Sequence, residues 1–458
     1  NFAERVGVNI EYIQPAVGQL NEAFNLMMAS GEYADMMEAN WLQVYAGGPS
    51  KAINDGTIVD LKDYKEYAPA LFGILEKNED YMRQIQTDDG HVYGFPLITG
   101  SPRQVSTTGP TVRKDWLDDL GLPVPETIGD WEIMLAAFRD EKGASAPMSF
   151  NYTNGSYHMF TLLSAVPEMY VDNGTVKFGP VQPEYREALK TLNKWYSEGL
   201  LDKNIASVDD KMLGSQLLNG ATGASFLSGG REIGQYMVTG VEKDPNFDLM
   251  GVKWPTFEKG KMNECIPVAF PIGIGTVSAV SAQSKSPELA VKVLDYLYTE
   301  EGNLFASFGV EGDTHTMVDG RPVYTEKITN NPEGLTMTQE LAMNVKAGSS
   351  GSFMTSEDYL DQYYQLPQQK AALSEWVKGY EESMKRRIPN VTPSLEESSE
   401  YASIMNEVNK YVNQMVPKFI MGLESLEEYD AFLEQIKKLK IDRAVEIQQG
   451  AYERYMNR

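Results

Sequence analysis

The residues of this chain that could do chemistry are aromatic, amide and guanidinium side chains that fall outside the predicted helices. Aromatic residues lie in predicted loops or at strand ends at four places, namely Trp41, Tyr152, Tyr157 and Trp254. Sugar rings present C–H faces to such side chains, and amides, carboxylates and arginines bind sugar hydroxyls in a cleft. Each aromatic residue taken alone is more often part of a core, but several of them after strands favour binding. The pattern indicates noncovalent recognition of a glycan.

Two arginines are candidate ligand contacts. The stretch Ser228-Gly229-Gly230-Arg231 follows a short strand predicted at residues 223–227. Its two glycines let the backbone approach a ligand closely, and the Arg231 guanidinium can then reach that ligand. A plain turn with a surface arginine explains the pattern equally well. Arg103 lies in another predicted loop, and the sequence leaves open whether either arginine marks an acidic ligand.

Sequence motifs of catalysis and metal binding are mostly absent. There is no Gly-x-Gly-x-x-Gly after a strand, no Walker A motif, no Gly-x-Ser-x-Gly and no His-Glu-x-x-His. His91, His158 and His315 lack the spacing of metal ligands, and residues 140–143 are too short for a calcium loop. Carboxylate pairs abound among 65 acidic residues, so a glycosidase-like pair stays an alternative. We therefore expect no catalytic residue, no metal and no cofactor.

Composition bounds the class of protein. A length of 458 residues predicts two or three domains. The net charge of −25 argues against nucleic acid and anionic membrane surfaces as partners, because both would repel the chain. The single cysteine, Cys265, excludes an internal disulfide and fits a cytosolic or an exported bacterial protein equally well. Neither a signal peptide nor a spanning apolar stretch is present, and residues 1–5 are typical of a helix tail, which predicts a natural chain that begins further upstream.

Alternating strands and helices must position the candidate side chains. Residues 8–12 predict a strand, residues 20–28 a helix and residues 35–39 a second strand, which together would form a parallel crossover unit. Ligands of open α/β sheets lie beyond the carboxyl ends of the strands, which favours a ligand role for Trp41. A Trp41 that pins its loop to the core is the equally supported alternative.

Turn and capping residues predict most of the remaining elements. We expect a loop at 147–160, a helix capped by Ser286 that ends at Gly302, and helices throughout the chain beyond 356. Helices are also expected at 114–120, 127–139, 184–198 and 212–218, hairpins at 170–176 and 314–324, and strands at 248–253 and 270–280. No linker divides the chain cleanly, so two domains that exchange segments are expected.

Ordered motifs along nearly the whole chain carry a family resemblance. They read MMASGEYADMM, GTIVDLKDY, DDGHVYGFP, RKDWLDDLGLPVPETIGDW, SPELAVKVLDYLYTEEGNLFASFGVEGD, KFIMG and YERYMNR. In these motifs the chain resembles the extracellular solute-binding proteins, family 1, of bacterial ABC transporters, and most of all the lipoprotein-type branch of Gram-positive bacteria. Ala34 stands where that branch usually has Pro, and the usual first strand and lipidated cysteine are missing upstream of Asn1. The loop at 141–146 is shorter than in relatives with a calcium site, which argues against a structural calcium ion.

The resemblance implies a two-lobed, periplasmic-binding-protein-like α/β fold of type II, with interchanging segments and a hinge. It assigns residues 1–105 and 281–355 to the first lobe and residues 106–280 mostly to the second lobe. A helical C-terminal region, 356–458, is expected to pack on both lobes. Hinge crossings are expected near 99–111, near 280–285 and at the start of the helical region.

The resemblance also implies a ligand site. Carried over one position at a time, its residues are Trp41 after one strand, Tyr152, Asn154 and Tyr157 after another, then Arg231, Trp254 and, from the helical region, Trp376. Trp116 and Trp131 belong to a packing motif and are expected in the core.

The implied function is capture of an oligosaccharide by closure of the lobes and its delivery to the permease subunits of an ABC transporter. A monomer is expected, on the extracellular face of the membrane, with a lipid anchor on an N-terminal cysteine outside this sequence. Two alternatives stay open. One is a secreted polysaccharide-acting enzyme, and the other is a binding protein for a peptide or another non-sugar solute.

Overall fold

The computed structural model describes residues 2–16, 19–45, 47–99, 102–331, 335, 337–348 and 351–458. In this part of the chain, strands form two three-stranded sheets and two hairpins. The strands are β1 Met36–Ala39, β2 Phe95–Ile98, β3 Thr108–Arg113, β4 Met169–Asp172, β5 Thr175–Phe178, β6 Ala224–Ser228, β7 Leu249–Gly251, β8 Ile272–Val280, β9 His315–Val318 and β10 Arg321–Tyr324.

Helices supply most of the remaining structure. The first twelve are α1 Phe2–Val6, α2 Leu20–Ser30, α3 Trp41–Val44, α4 Gly48–Asn54, α5 Pro69–Leu75, α6 Glu79–Ile85, α7 Lys114–Leu120, α8 Ile128–Asp140, α9 Tyr152–Leu162, α10 Pro183–Ser197, α11 Asp210–Leu218 and α12 Gly234–Lys243. The others are α13 Pro287–Asp295, α14 Glu300–Phe308, α15 Glu326–Thr329, α16 Met337–Asn344, α17 Glu357–Tyr363, α18 Pro367–Trp376, α19 Tyr380–Arg386, α20 Leu395–Met421, α21 Tyr429–Lys438 and α22 Ile441–Met456. Among the described residues, every helix is too short or too polar to cross a bilayer.

The first lobe is built on the antiparallel sheet β1-β8-β2. The central strand β8 places Ala279 opposite Met37 and Ser278 opposite Phe95. The parallel crossover unit predicted near the N-terminus is wrong, because residues 8–12 form no strand and β1 pairs with β8 instead. Local alternation of apolar residues cannot reveal a partner strand that comes from so far along the chain.

The second lobe is built on the antiparallel sheet β6-β3-β7. Its central strand β3 is buried, and α8, α9 and α10 contribute to the large core around it. The long C-terminal helices α20, α21 and α22 belong to the same core, to which they contribute Val408, Phe419, Phe432 and Ala444. Much of the helical C-terminal region therefore completes the second lobe.

Three crossings of the chain join the lobes. The first follows β2, the second precedes β8, and the third lies around Met354, which bridges to Ile98. Because β8 is already the central strand of the first-lobe sheet, the return to this lobe occurs before Ile272 and not near 280 as expected. The first crossing is tied to the helical region, since Ser106 Oγ donates to the Trp376 carbonyl at 3.1 Å.

The local predictions had mixed outcomes. Helices α7 and α8 and the hairpins β4-β5 and β9-β10 agree closely with expectation. The loop predicted at 147–160 is wrong from Tyr152 onward, where α9 begins after its N-cap Asn151. The helix expected to end at Gly302 is divided, because α13 ends at Asp295 and α14 runs on to Gly309, where φ is 76°.

Candidate functional site

A cavity of about 340 Å³ opens at the edge of the second lobe where β6 ends and α9 and α11 begin. The register of the sheet sets Thr108 beside Ser228, and both residues line this cavity. The lining includes an aromatic wall, formed by Phe150, His158 and Phe226, and a polar rim, formed by Asn151, Asp210, Arg231 and Glu232. We call this cavity the Arg231 pocket.

The aromatic wall is held in place from behind by Trp254. The Trp254 ring stacks on Phe226 and on His158, with centroids 5.9 Å from each ring and interplanar angles of 17° and 19°. Phe150 packs against Phe226 at 5.3 Å. Gly155 lets α9 approach this wall, since a Cβ there would lie 2.7 Å from Phe150 Cδ2. The wall is therefore fixed in position. Phe150 is 0% and Phe226 5% exposed, so half-buried His158 is the ring of the wall most open to a ligand.

The polar rim is a hydrogen-bonded cluster centred on Asp210. Asn151 Nδ2 donates to Asp210 Oδ1 at 2.7 Å, while Arg231 Nη2 lies 3.3 Å from Asp210 Oδ2. Asn151 is fixed in turn, because its Oδ1 caps α9 by accepting from the Thr153 amide at 3.0 Å. Donors and acceptors alternate around this rim, which suits hydroxyl groups that both donate and accept.

A tight turn after β6 aims Arg231 at the pocket. One turn of π-helix, Gly229–Ile233, follows the strand, and the Glu232 carboxylate accepts from the Ser228 amide at 2.7 Å. Gly230 lies against a tyrosine of α17, since a Cβ there would lie 2.5 Å from Tyr363 Cε1. Such π-helical turns occur frequently at functional sites. The side chain of Arg231 is 62% exposed, so most of it is available to a ligand.

Arg231 is the predicted site residue that lines this pocket most directly. Tyr152 and Asn154 lie in the first turn of α9, at the same edge of the lobe. Tyr152 packs partly into the large core, and its burial raises the pKa of its phenol to about 12. The side chain of Asn154 lies outside the described residues. Tyr157 lies further along α9 and lines a separate small cavity with Glu168, Cys265 and Arg387.

The three predicted tryptophans occupy other positions than expected. Trp254 is 3% exposed and supports the aromatic wall from behind, so it lacks the open face expected of it. Trp41 is fully buried and donates to the Val277 carbonyl at 3.1 Å, in agreement with the core alternative. Trp376 is fully buried too, since it donates to the Pro110 carbonyl at 3.1 Å and packs on Gly109. All three rings are enclosed by strands or helices from distant parts of the chain.

Arg103 lies on the first hinge crossing and is not among the residues that line the Arg231 pocket. Its Nη2 is 3.3 Å from Asp361 of α17. This ion pair links the crossing to the helical region.

Of the seven residues that form the wall and the rim, the sequence predicts only Arg231 as a site residue, and it misses six, namely Phe150, Asn151, His158, Asp210, Phe226 and Glu232. The sequence shows only that His158 lacks the spacing of a metal ligand, whereas the structure places its ring on the aromatic wall. Asn151 and Asp210 meet only through folding, although an Asn followed by a helical stretch is a capping signal that could have found α9. Within the described residues, no cluster of three or more His, Cys, Asp or Glu side chains could hold a metal ion.

A larger cavity, of about 490 Å³, lies between the first lobe and the C-terminal helical region, which contributes residues 390–394 without 391, Arg454 and Arg458 to its lining. Among its lining residues, Asp88 accepts from Arg454 Nε at 2.9 Å and from Arg458 Nη2 at 2.6 Å. Arg458 also donates to the carbonyls of Arg83 and Gln86, at 3.0 and 2.5 Å. We call this cluster the Asp88 clasp. The cavity has little aromatic surface, and its strongest charged groups bind each other, so the smaller Arg231 pocket is the better ligand site.

Known proteins resemble this chain in sequence, and they identify its family. A sequence model of the family described as bacterial extracellular solute-binding protein matches residues 1–304. The chain belongs to this family. Lipoprotein LipO of Bacillus subtilis strain 168 is 26% identical over 359 residues, which are 74% of this chain and 67% of LipO. The fructooligosaccharide ABC transporter substrate-binding protein FusA of Streptococcus pneumoniae serotype 4 is 23% identical over 435 residues, which are 87% of this chain and 76% of FusA.

Solved structures confirm the fold. A solute-binding protein from Bifidobacterium longum infantis, described as HMO-binding and associated with an ABC transporter, superimposes with a TM-score of 0.79 at 21% identity. The alignment covers 99% of this chain and 94% of that chain. The predicted two-lobed α/β architecture of a solute-binding protein is thereby confirmed.

Proposed function

We propose that this protein captures an oligosaccharide at the Arg231 pocket and delivers it to the permease of an ABC importer. The observation that carries the proposal is the rim of amide, carboxylate and guanidinium groups beside a fixed aromatic wall, in which His158 is the ring most open to a ligand. This combination is what a sugar needs, because its ring carbons bury on aromatic faces while its hydroxyls keep their hydrogen bonds. FusA, a relative along most of the chain, is by its name a fructooligosaccharide-binding protein of such a transporter.

Capture requires the ligand to favour one arrangement of the lobes. The pocket lies on the second lobe, and the crossings let the first lobe move against it. A glycan held on the aromatic wall gains further contacts when the first lobe closes over it, so binding shifts the population toward the closed form. No bond of the ligand is made or broken in this cycle.

The proposed function also implies where the protein acts in the cell. The protein acts as a monomer on the extracellular face of the membrane, held by a lipid anchor on a cysteine outside this sequence. LipO, the lipoprotein relative, supports the anchor. The permease would then distinguish the closed, loaded form from the open form.

Calorimetric titration against a panel of oligosaccharides tests the function. We expect micromolar or tighter binding of at least one glycan, with the sugar recovered intact. In the Arg231→Ala variant we expect about tenfold weaker binding, because a charge-assisted hydrogen bond to the ligand is lost. Arg443→Ala is the matched control, since Arg443 of α22 pairs with Glu400 of α20 and Glu446 of α22 and does not line the pocket.

Two outcomes would overturn the proposal. Cleavage of a bound glycan would establish the alternative of a polysaccharide-acting enzyme. Failure of every glycan to bind, together with binding of peptides or other solutes, would establish a non-sugar binding protein.

A further inference from the structure

We infer that the Arg231 pocket selects uncharged oligosaccharides, and that Asp210 is the residue that excludes uronic acids. This inference rests on the proposed function and names the ligand class of the same site. The sequence leaves the matter open, because an exposed arginine after a glycine turn is also what a receptor for a carboxylate would have.

The first argument is the balance of charge around the pocket. Its lining holds the carboxylates of Asp210 and Glu232 against the single guanidinium of Arg231. Two carboxylates against one guanidinium leave these three groups with a net charge of about −1. A ligand carboxylate that entered the pocket would therefore meet a net repulsion, in a protein whose overall charge is already −25.

The second argument is that Arg231 is already engaged by carboxylates. Its Nη2 lies 3.3 Å from Asp210 Oδ2 and 3.9 Å from Glu232 Oε1. A uronate that formed a bidentate pair with Arg231 would bring its own carboxylate close to that of Asp210. A hydroxyl group has no such conflict, since it can donate to Asp210 and accept from Arg231.

The third argument is that both carboxylates are held where they are. Glu232 is fixed to the Ser228 amide at 2.7 Å, and Asp210 receives the Asn151 amide at 2.7 Å. Neither side chain can swing away to admit an anion without breaking a hydrogen bond. Burial is the main cause that raises the pKa of Tyr236 to about 12; the charges of Glu232 and Asp210 raise it too, and that of Arg231 lowers it.

Two other cations among the described residues also lie beside carboxylates. Arg103 is paired with Asp361 at 3.3 Å, and Lys346 lies 4.0 Å from Glu38. In each place a carboxylate accompanies the cation, as in the pocket itself.

Calorimetry with matched pairs of sugars tests the inference. Each pair has one linkage and one length, for example mannotriose with trimannuronate and galactotriose with trigalacturonate. In every pair that binds, we expect the neutral member to bind at least about tenfold more tightly, as a like charge at close range implies. Raising the ionic strength to about 1 M, where the screening length falls to about 3 Å, should narrow the difference.

Asp210→Asn is the decisive variant. Its side chain keeps an oxygen for Asn151, and the N-cap of α11 is Asp209, so the fold is retained. We expect the ratio of neutral to uronate affinity to fall about tenfold in this variant, because Arg231 is released from Asp210. Asp442→Asn, an exposed aspartate in the first turn of α22, should leave the ratio unchanged.

The outcomes separate this inference from the function on which it rests. A wild-type preference for uronates, or an affinity ratio that Asp210→Asn leaves unchanged, would overturn the selectivity and leave glycan capture standing. Failure of both members of every pair to bind would overturn the proposed function and the selectivity together.

Discussion

The Asp88 clasp and the Arg231 pocket both pair arginine with aspartate, but the clasp is largely buried and the pocket is exposed to solvent. In the Asp88 clasp, the Arg458 side chain is 4% exposed and the Asp88 side chain 25% exposed. In the Arg231 pocket, the corresponding values for Arg231 and Asp210 are 62% and 44%. Burial removes the water that would otherwise compete for these groups, so the clasp stabilises the contact between the lobes while the pocket stays free to exchange water for a ligand.

The largest expected effect comes from breaking the clasp. Arg458→Ala removes the hydrogen bonds to Asp88 and to two backbone carbonyls, and leaves these acceptors partly unsatisfied. Because the guanidinium is almost fully buried, we expect the free energy of unfolding to fall by about 3 kcal/mol. Urea denaturation measures this change. Arg443→Ala, on the surface of α22, is the control and should leave the transition midpoint where it is. A midpoint unchanged by Arg458→Ala would mean that the clasp does not form in solution.

Double-mutant cycles sharpen the comparison. We expect a coupling energy of about 1.5 kcal/mol or more between Asp88 and Arg458, since the pair is largely shielded from water. Between Asp210 and Arg231 we expect a coupling energy of at most about 0.5 kcal/mol, as is usual for exposed ion pairs. In both cycles each residue is replaced by alanine, and the free energy of unfolding is measured by denaturant titration without ligand. Equal couplings would contradict the division between a structural and a ligand-binding cluster.

A smaller effect is expected at the turn that aims Arg231. In Gly230→Ala, the new Cβ would lie 2.5 Å from Tyr363 Cε1 and 2.8 Å from Tyr363 Oη, so the ring or the turn must shift. We expect a loss of about 1 kcal/mol in stability and a several-fold weaker affinity for the glycan, because Arg231 is displaced. The double variant Gly230→Ala with Tyr363→Ala makes room for the methyl group. If the double variant does not regain at least part of the glycan affinity, the contact with Tyr363 does not cause the loss of affinity in Gly230→Ala.

The two clusters also differ in how far the sequence predicted them. Gly229 and Gly230 followed by Arg231 are a local signal, and the structure brings Arg231 to a pocket. The Asp88 clasp has no comparable signal, because nothing near Asp88 in the sequence indicates that Arg454 and Arg458 bind it. The tryptophans show the same limit, since Trp41 and Trp376 are enclosed by β8 and β3, which come from distant parts of the chain.

The sequence by itself determined the family, the two-lobed α/β class and the elements whose signals are local, such as α8 after Thr127 and the hairpin at Asn173 and Gly174. Caps, turns and apolar periodicity act over a few residues, so they can be read directly. Only the tertiary structure decided that β8 is the centre of the first sheet, that Trp254 supports a wall and does not face a ligand, and that Asp210 joins Asn151 to Arg231. These features depend on burial and on pairing between remote segments, and no local pattern encodes either.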